Sequence, residues 1–244
     1  MSKKIWNTKG AESSYEIASF LAGEDIELDK SIFIYDIDAT IAHIKGLSSI
    51  GIIKKNELAK LIKSLKELRL KFLSGKFKLT EKYEDCHSAI EFYLTKELGE
   101  LGKKVHTGRS RNDQVLVAMR LFAKKNLIDF KKSNKSIAKV LLKMANKYEK
   151  TLMPGYTHLQ RAMPSSWGLW FASYAESFID NIDLINSTIE WIDSNPLGSA
   201  AGYGVALPLD RKLTTKELGF KRTQLNSLYI QNSRGKYEMQ IINT

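Results

Sequence analysis

The chain of 244 residues contains 43% hydrophobic and 27% charged side chains, a composition typical of a water-soluble protein with one large domain or two small ones. No segment approaches the roughly 18 to 20 uninterrupted apolar residues that a membrane span needs, and the sequence after Met1 lacks the apolar core of a secretory signal. The single cysteine, Cys86, cannot form a disulfide within the chain, and no cluster of Cys and His has the spacing of zinc ligands. We therefore expect a cytoplasmic protein that contacts no membrane and holds no structural metal.

The formal net charge of +11 is concentrated in the first part of the chain. Residues 1–150 hold 30 basic and 19 acidic side chains, whereas residues 151–244 hold 8 of each. Most of the basic residues are lysines at helical spacings, which is typical of solvated helix faces. A nucleic-acid surface is the alternative, but no aromatic side chains alternate with these lysines as base stacking would require. We expect no nucleic-acid partner.

Three helices are predicted in the first hundred residues, which contain no proline. Their apolar residues recur at spacings of three and four. The three segments are 31–46, 56–74 and 85–98. Asn56 is placed to cap the second helix and Gly75 to end it, while Asp85 and Gly99 have these roles in the third.

Two long helices are predicted further along the chain, over 112–148 and about 165–193. A loop around Pro154-Gly155 separates them, and 195–210, rich in Gly and small residues, is predicted to be a loop held close to another part of the protein. No run of alternating strands is evident, so the predicted fold class is all-α. The apolar stripes of two such long helices exceed what a short chain can cover. We therefore expect partner subunits or further sequence to bury them.

A polar cluster, 106–114, stands immediately before the first long helix. Gly108 permits close approach of the backbone, and Ser110 to Asn112 provide N–H groups that a helix start leaves unpaired. Arg109 and Arg111 add forked donors, so the cluster suits a carboxylate or phosphate group. The alternative is an ordinary capped helix start with arginines exposed to solvent.

His158 is the candidate for proton transfer, because it lies between two prolines just before the second long helix. Thr157, Gln160 and Arg161 place a hydroxyl, an amide and a guanidinium group close to it in the sequence. An isolated histidine is more often structural, and that alternative stays open.

A third cluster contains His87 and Glu91, which are four residues apart and therefore share a helix face. They can hydrogen-bond or bind a metal ion, but no third metal ligand is evident, so a polar contact is favoured. Cys86 lacks the cationic neighbours of a reactive thiol and is predicted to be a small buried apolar side chain.

Taken together, these motifs resemble the argininosuccinate lyase family of the fumarase/aspartase superfamily. The resemblance rests on His106–Gln114 and on Gly155–Ala162, and it extends over nearly all 244 residues. Four further segments occur in the family's order: Asp36–His43, Glu84–Glu91, Asn195–Ser199 and Asn226–Tyr229.

The resemblance implies reversible elimination of argininosuccinate to arginine and fumarate, in arginine biosynthesis or the urea cycle, without a cofactor. It implies a small N-terminal helical domain, residues 1–104, followed by the first long helices of a central helical-bundle domain of the fumarase/aspartase type, residues 105–244. Family members are homotetramers, and each of their active sites is built from three subunits.

Position by position, the resemblance implies that His158 is the catalytic histidine, on the general-acid side, with Thr157 binding substrate beside it. Ser110, Arg111 and Asn112 are implied as binders of substrate carboxylates. Three supporting residues are implied as well: His87, Gln160 and Arg234.

The mobile-loop signature of the superfamily, Gly-Ser-Ser-x-Met-Pro-x-Lys-x-Asn, is absent from this sequence. In the family, that loop supplies the serine taken as the base and a lysine that binds substrate. We therefore expect the chain to be an N-terminal portion of a longer protein. The alternative function is a truncated, non-catalytic subunit that assembles with other chains without turnover.

Overall fold

The computed structural model describes residues 23–244, so the first 22 residues of the N-terminal domain predicted for 1–104 lie outside the described part. Ten α-helices occur among the described residues, in the order α1 (Asp25–Asp29), α2 (Phe33–Ser49), α3 (Lys55–Leu73), α4 (Cys86–Leu98), α5 (Glu100–Lys103), α6 (Arg111–Lys147), α7 (Trp167–Ile192), α8 (Arg211–Glu217), α9 (Ser227–Asn232) and α10 (Lys236–Ile242). A 3₁₀ turn covers Lys104–His106, and the strands are β1 (Leu152–Thr157), β2 (Gln160–Ser166), β3 (Ser194–Asn195) and β4 (Arg222–Thr223). The helices dominate, which confirms the predicted all-α class.

Contacts within the chain define two compact units. The first comprises the described residues up to Phe122 together with Asp193–Arg234, and the second comprises Ala123–Ile192 with Gly235–Thr244. Helix α6 contributes its first turns to the first unit and its remainder to the second. The domain boundary predicted between residues 104 and 105 stays a prediction.

The three helices predicted in the first part of the chain are confirmed as α2, α3 and α4. Asp85 caps α4 as predicted, because its carboxylate accepts a 2.6 Å hydrogen bond from the Ser88 N–H, and Gly99 ends the helix with a φ of +59°. The predicted cap of α3 is wrong. Lys54 is the residue at that position, and its N–H donates to the Glu57 carboxylate at 2.8 Å. A glutamate in the first turn satisfies the end of the helix without the asparagine.

The core of the first unit is formed by α2, α3 and α4, which place apolar side chains at spacings of three and four toward one another. Its largest fully buried members are Phe33, Ile37, Ile44, Leu47, Ile53, Leu61, Leu65, Leu68, Ile90 and Leu94. Cys86 is fully buried in the same core, which confirms its predicted packing role. The start of α4 is therefore fixed by packing on one side, and this positions the polar residues that follow Cys86.

Both predicted long helices are confirmed as α6 and α7. Helix α6 has 37 residues, a length of about 55 Å at 1.5 Å per residue. Within the second unit, Ala123 and Leu127 of α6 pack with Ile185 and Ile192 of α7 and with Tyr237. Several large apolar side chains of α7 stay exposed: Trp167, Leu169, Trp170, Tyr174, Ile179 and Leu184. Among residues 23–244, every helix falls short of the length and hydrophobicity that crossing a membrane requires.

The loop predicted around Pro154-Gly155 is wrong, since β1 and β2 form an antiparallel hairpin there. No residue of the hairpin is buried, so it lacks the alternation of buried and exposed side chains by which a strand is predicted. Pro154 is paired with Pro164 in a ribbon of only two strands, where a proline interrupts little. The two-residue turn is His158-Leu159, which lacks the Asn-Gly signature that such turns usually have.

Helix α3 offers a matched test of the core. Leu65→Ala removes a fully buried side chain, and we expect a loss of about 3 kcal/mol in the free energy of unfolding. Leu70→Ala makes the same chemical change at a position that is 67% exposed, and it should cost less than about 0.5 kcal/mol. Urea denaturation followed by circular dichroism measures both, and equal losses would contradict the described packing.

Candidate active site

The polar turn, residues 106–114, lies at the start of α6 as the sequence predicts. Gly108 has a φ of +66°, a backbone conformation that favours glycine, and a Cβ there would lie 3.0 Å from Leu207 Cδ1. The Ser110 hydroxyl oxygen accepts a 3.3 Å hydrogen bond from the Asn112 N–H, which caps the helix. The hydroxyl hydrogen of Ser110 is left to donate. The turn thus presents hydrogen-bond donors at the positive end of a long helix dipole.

Arg111 is held between two carboxylates of the same unit. Its Nε lies 3.1 Å from Asp85 Oδ2, and its Nη1 lies 3.1 Å from Glu91 Oε1. The same Glu91 oxygen is 2.8 Å from His106 Nδ1. Burial raises the pKa of Glu91, but the hydrogen bond with His106 and the charge of Arg111 outweigh it and lower the pKa below its ordinary value. Arg111, predicted to bind a substrate carboxylate, therefore already forms ion pairs inside the protein.

Glu91 is not the partner of His87, although a helical spacing of four placed them on one face. His87 Nδ1 instead forms a 2.7 Å hydrogen bond with Asp36 Oδ2, and Gln114 Nε2 donates to both oxygens of Asp36 at 3.0 and 3.1 Å. All three residues are buried. The polar contact predicted for His87 is confirmed in kind, but its partner comes from α2, which sequence spacing within α4 could not indicate.

Burial alone would raise the pKa of Asp36 and lower that of His87. The mutual attraction of the two charges and their hydrogen bond reverse both effects, so the pKa of Asp36 falls below and that of His87 rises above the ordinary value. Both directions favour the charged forms of the two side chains, and this buried contact joins α2 to α4.

Asp36, Cys86 and His87 place their ligand atoms within 4.8 Å of one another, the spacing that a metal site needs. His87 Nδ1 already shares a hydrogen with Asp36 at 2.7 Å, so it is not open to a metal without breaking that bond. Burial and three nearby carboxylates raise the pKa of the Cys86 thiol well above its usual value, which disfavours the thiolate that binds metals. The chemistry of this donor set favours the ion pair.

Two further buried residues belong to the site, and the first is Arg109, which the sequence predicts as a forked donor of the polar cluster but which is buried. Its Nη1 donates to the Thr40 hydroxyl at 2.9 Å, while its Nε and Nη2 have no hydrogen-bond partner among residues 23–244. Burial lowers the pKa of Arg109, and the charges of Asp36, Glu91 and Asp113 oppose that effect. Arg109 is therefore a desolvated cation surrounded by acidic groups.

The second is His43, whose Nε2 lies 2.9 Å from the carbonyl oxygen of Thr107. Burial, together with the nearby Arg109 charge, lowers the pKa of His43 to about 3. The ring is therefore neutral, and its N–H donates to the Thr107 carbonyl, which fixes the polar turn against α2. No helical spacing links the two residues, which are far apart in the sequence.

Arg234, predicted only as a supporting residue, is placed at Asn112. Its Nη1 donates a 2.7 Å hydrogen bond to Asn112 Oδ1. The amide oxygen of Asn112 is thereby occupied, and its Nδ2 group points the other way, toward the Ser110 hydroxyl oxygen at 3.3 Å. The structure thus brings together Ser110, Asn112 and Arg234 at the start of α6.

The remaining predicted residues lie in the second unit, at the tip of the β1–β2 hairpin. Thr157 is paired with Gln160, and His158 and Leu159 form the turn between them. Both turn residues have left-handed backbones, with φ of +49° and +61°. All four are exposed. The joint site that the sequence predicts for His158 and the polar turn stays a prediction.

These features define a helical protein whose longest helix begins in a turn rich in hydrogen-bond donors and braced by buried ion pairs. A sequence profile of the family described as "Lyase" matches residues 16–237. The chain therefore belongs to this lyase family.

Curated relatives named argininosuccinate lyase include proteins from Xanthomonas oryzae pv. oryzae and Stenotrophomonas maltophilia, which are 52% and 49% identical to this chain. Each match covers 98% of this chain and 56% of the relative, so the chain spans little more than half the length of these relatives.

Among solved structures, an EDDS lyase variant with bound fumarate is 25% identical, with a TM-score of 0.74 over 97% of this chain and 50% of that one. A β-carboxy-cis,cis-muconate cycloisomerase from Acinetobacter calcoaceticus is 19% identical, with a TM-score of 0.62 over 85% of this chain and 51% of that one, and it shares the fold.

The Asp36–His87 pair leads to a pH-dependent prediction. The pair contributes its full stabilisation between pH 3.8, the ordinary pKa of an aspartate, and pH 6.5, the ordinary pKa of a histidine. That contribution is lost as the pH falls through the folded pKa of Asp36 or rises through that of His87. His87→Asn removes the charge, and we expect it to cost roughly 3 kcal/mol near pH 6 and less above the folded pKa of His87.

Urea midpoints measured from pH 4 to 9 on both proteins test this expectation. Buried His43, which favours unfolding as the pH falls below 6.5, is common to the two proteins and cancels in the difference. A difference that does not vary with pH would contradict a charged His87.

Proposed function

We propose that the chain forms part of an argininosuccinate lyase, which eliminates fumarate from argininosuccinate and releases arginine. The observation that carries the proposal is the 52% identity to a protein of that name over 98% of this chain. The EDDS lyase structure with bound fumarate, whose fold is similar, supports the same product class.

The polar turn is the proposed binding site for a substrate carboxylate. The start of α6 offers backbone N–H groups, and Ser110 and Asn112 add a hydroxyl and an amide. A carboxylate placed there would gain from the helix dipole and from charge-assisted hydrogen bonds. Arg111 is proposed to act on the same carboxylate, and to do so it would share its guanidinium with Asp85 and Glu91.

His158 is the proposed catalytic residue on the acid side, and Thr157 is proposed to bind substrate next to it. In the reaction, a base removes a proton from the carbon beside a carboxylate, the carbon–nitrogen bond breaks, and the carbon–carbon double bond of fumarate forms. His158 would deliver a proton to the leaving nitrogen of the guanidino group. We assign the base to none of the 244 residues. His87, Gln160 and Arg234 are proposed as supporting residues.

The proposal includes a homotetramer, active sites shared between subunits, no cofactor, and a cytoplasmic location. The exposed apolar side chains of α7 support self-association, because large apolar side chains exposed in such number on one helix are usually buried by a partner. The substrate is a small molecule, and we include neither a nucleic acid nor a membrane among the partners.

The test is fumarate release from argininosuccinate by the purified chain, followed by its ultraviolet absorbance. If His158 is the acid, His158→Ala should lower the rate by about 10² to 10⁴-fold, the usual contribution of a positioned acid. Met163→Ala is the matched control, since Met163 lies in β2 of the same hairpin and is exposed. It should leave the rate unchanged.

Two other outcomes would contradict parts of the proposal. Equal rates for the wild type and His158→Ala would remove His158 from the mechanism. Binding of fumarate without any turnover would favour the alternative, a non-catalytic subunit that assembles with other chains.

Self-association is tested at α7. Size-exclusion chromatography with light scattering should give a mass that is a multiple of 27.7 kDa. Trp170→Glu places a charge in the apolar stripe and should shift the mass toward the monomer, because an unpaired charge in a buried interface is costly. A wild-type chain that elutes as a monomer at micromolar concentration would contradict this part of the proposal.

A further inference from the structure

The strongest unassigned feature of the first unit is a buried carboxylate, Asp113, at the start of α6. One oxygen accepts a 3.0 Å hydrogen bond from the Ser110 N–H. The other accepts from Gly198 N–H at 2.8 Å and from Ala200 N–H at 3.0 Å. The side chain is completely shielded from solvent. A single carboxylate thus connects the polar turn with a segment that follows it by 85 residues or more.

That segment, residues 197–204, has an unusual backbone, and we call it the glycine loop. Four of its residues have positive φ, namely Gly198 (+90°), Ala200 (+51°), Gly202 (+115°) and Gly204 (+73°). Alanine adopts such a conformation only at a cost of roughly 1 to 2 kcal/mol, so the surroundings must hold it.

Two side chains hold Ala200 from opposite sides. Asp113 accepts from its N–H, and Gln231 Nε2 donates to its carbonyl oxygen at 3.1 Å. Gln231 Nε2 also reaches the Ser199 hydroxyl at 3.4 Å. Contacts with both side chains therefore hold the loop in this conformation. Of Asp113 and Gln231, Asp113 is the one that also accepts a hydrogen bond from the Ser110 N–H of the polar turn.

Both oxygens of Asp113 act as acceptors in this geometry. An ionised carboxylate is an acceptor at both oxygens, and here all three bonded groups are donors. An asparagine of the same shape would turn an NH₂ group toward at least one backbone N–H and leave that donor buried without a partner.

We propose that Asp113 is a positioning residue for the substrate carboxylate, because it locks the glycine loop to the Ser110 backbone and so sets the donors at the start of α6. The proposal rests on the proposed function for its ligand. Asp113 itself would not touch the substrate, since both of its oxygens face backbone donors of the protein.

The experiment compares the 244-residue wild type with Asp113→Asn, using fumarate as the probe. Nuclear magnetic resonance measures hydrogen exchange at the Gly198 and Ala200 amides, and calorimetry measures fumarate affinity. We expect exchange to accelerate and fumarate affinity to fall, each by about tenfold or more, since hydrogen bonds to a charged acceptor are lost. Asp129→Asn is the matched control, because the Asp129 side chain is 48% exposed on the same helix and is paired with Lys125 and Lys132.

Gln231→Ala is the second variant, and it tests whether the glycine loop affects fumarate binding if Asp113→Asn fails to fold. It keeps the carboxylate and removes the other side chain that holds the loop. Faster exchange at the loop together with weaker fumarate binding would support the proposal in either variant. Faster exchange with unchanged affinity would overturn the positioning role, and unchanged exchange in Asp113→Asn would show that Asp113 does not hold the loop.

A separate result would contradict the proposed function itself. A wild-type chain that binds no fumarate would contradict that function, and with it the positioning of a substrate. The exchange measurement on Asp113→Asn would still determine whether the carboxylate fixes the glycine loop.

Discussion

Three helices meet at the carboxylate of Asp36. It is contributed by α2, its ion-pair partner His87 begins α4, and Gln114 in the first turn of α6 donates to both of its oxygens. A buried charge of this kind is costly unless every acceptor is used, and here both oxygens are bonded. Fold and candidate site depend on the same contact, because the residues that join these three helices include Gln114, the last residue of the polar turn.

Positively and negatively charged side chains alternate in the site, so that charge of one sign does not accumulate. Arg109 is buried beside the acidic groups Asp36 and Glu91, and Arg111 lies between Asp85 and Glu91. A carboxylate ligand would therefore enter a site whose cations are already partly neutralised by the protein. This arrangement lowers the electrostatic free energy of the site when no ligand is bound. It also makes the affinity for a carboxylate ligand depend on hydrogen-bond geometry more than on net charge. Under the proposed function, such a site would discriminate by the placement of its donors, which the contact of Asp113 with the glycine loop would help to set.

Local pattern sufficed for the helices and for part of the site. The spacing of apolar residues predicted α2, α3, α4, α6 and α7, and the cluster before α6 was identified because a helix start has recognisable chemistry. What could not be predicted depends on distant residues. The partner of His87 lies on another helix, Asp113 bonds a loop 85 residues away, and His43 reaches Thr107 across the first unit. The hairpin was missed because it buries neither face and therefore carries no periodic signal.

The turn at the tip of the hairpin restricts which sequences the protein can use there. Left-handed backbones exclude proline and disfavour β-branched residues, whereas asparagine, aspartate, histidine and glycine are tolerated. His158 belongs to the tolerated group, but Leu159 does not, and it is fully exposed, so it gains no burial in return. A glycine at 159 would suit the turn better. The backbone conformation and burial of the described residues therefore give no structural reason for a leucine at this position.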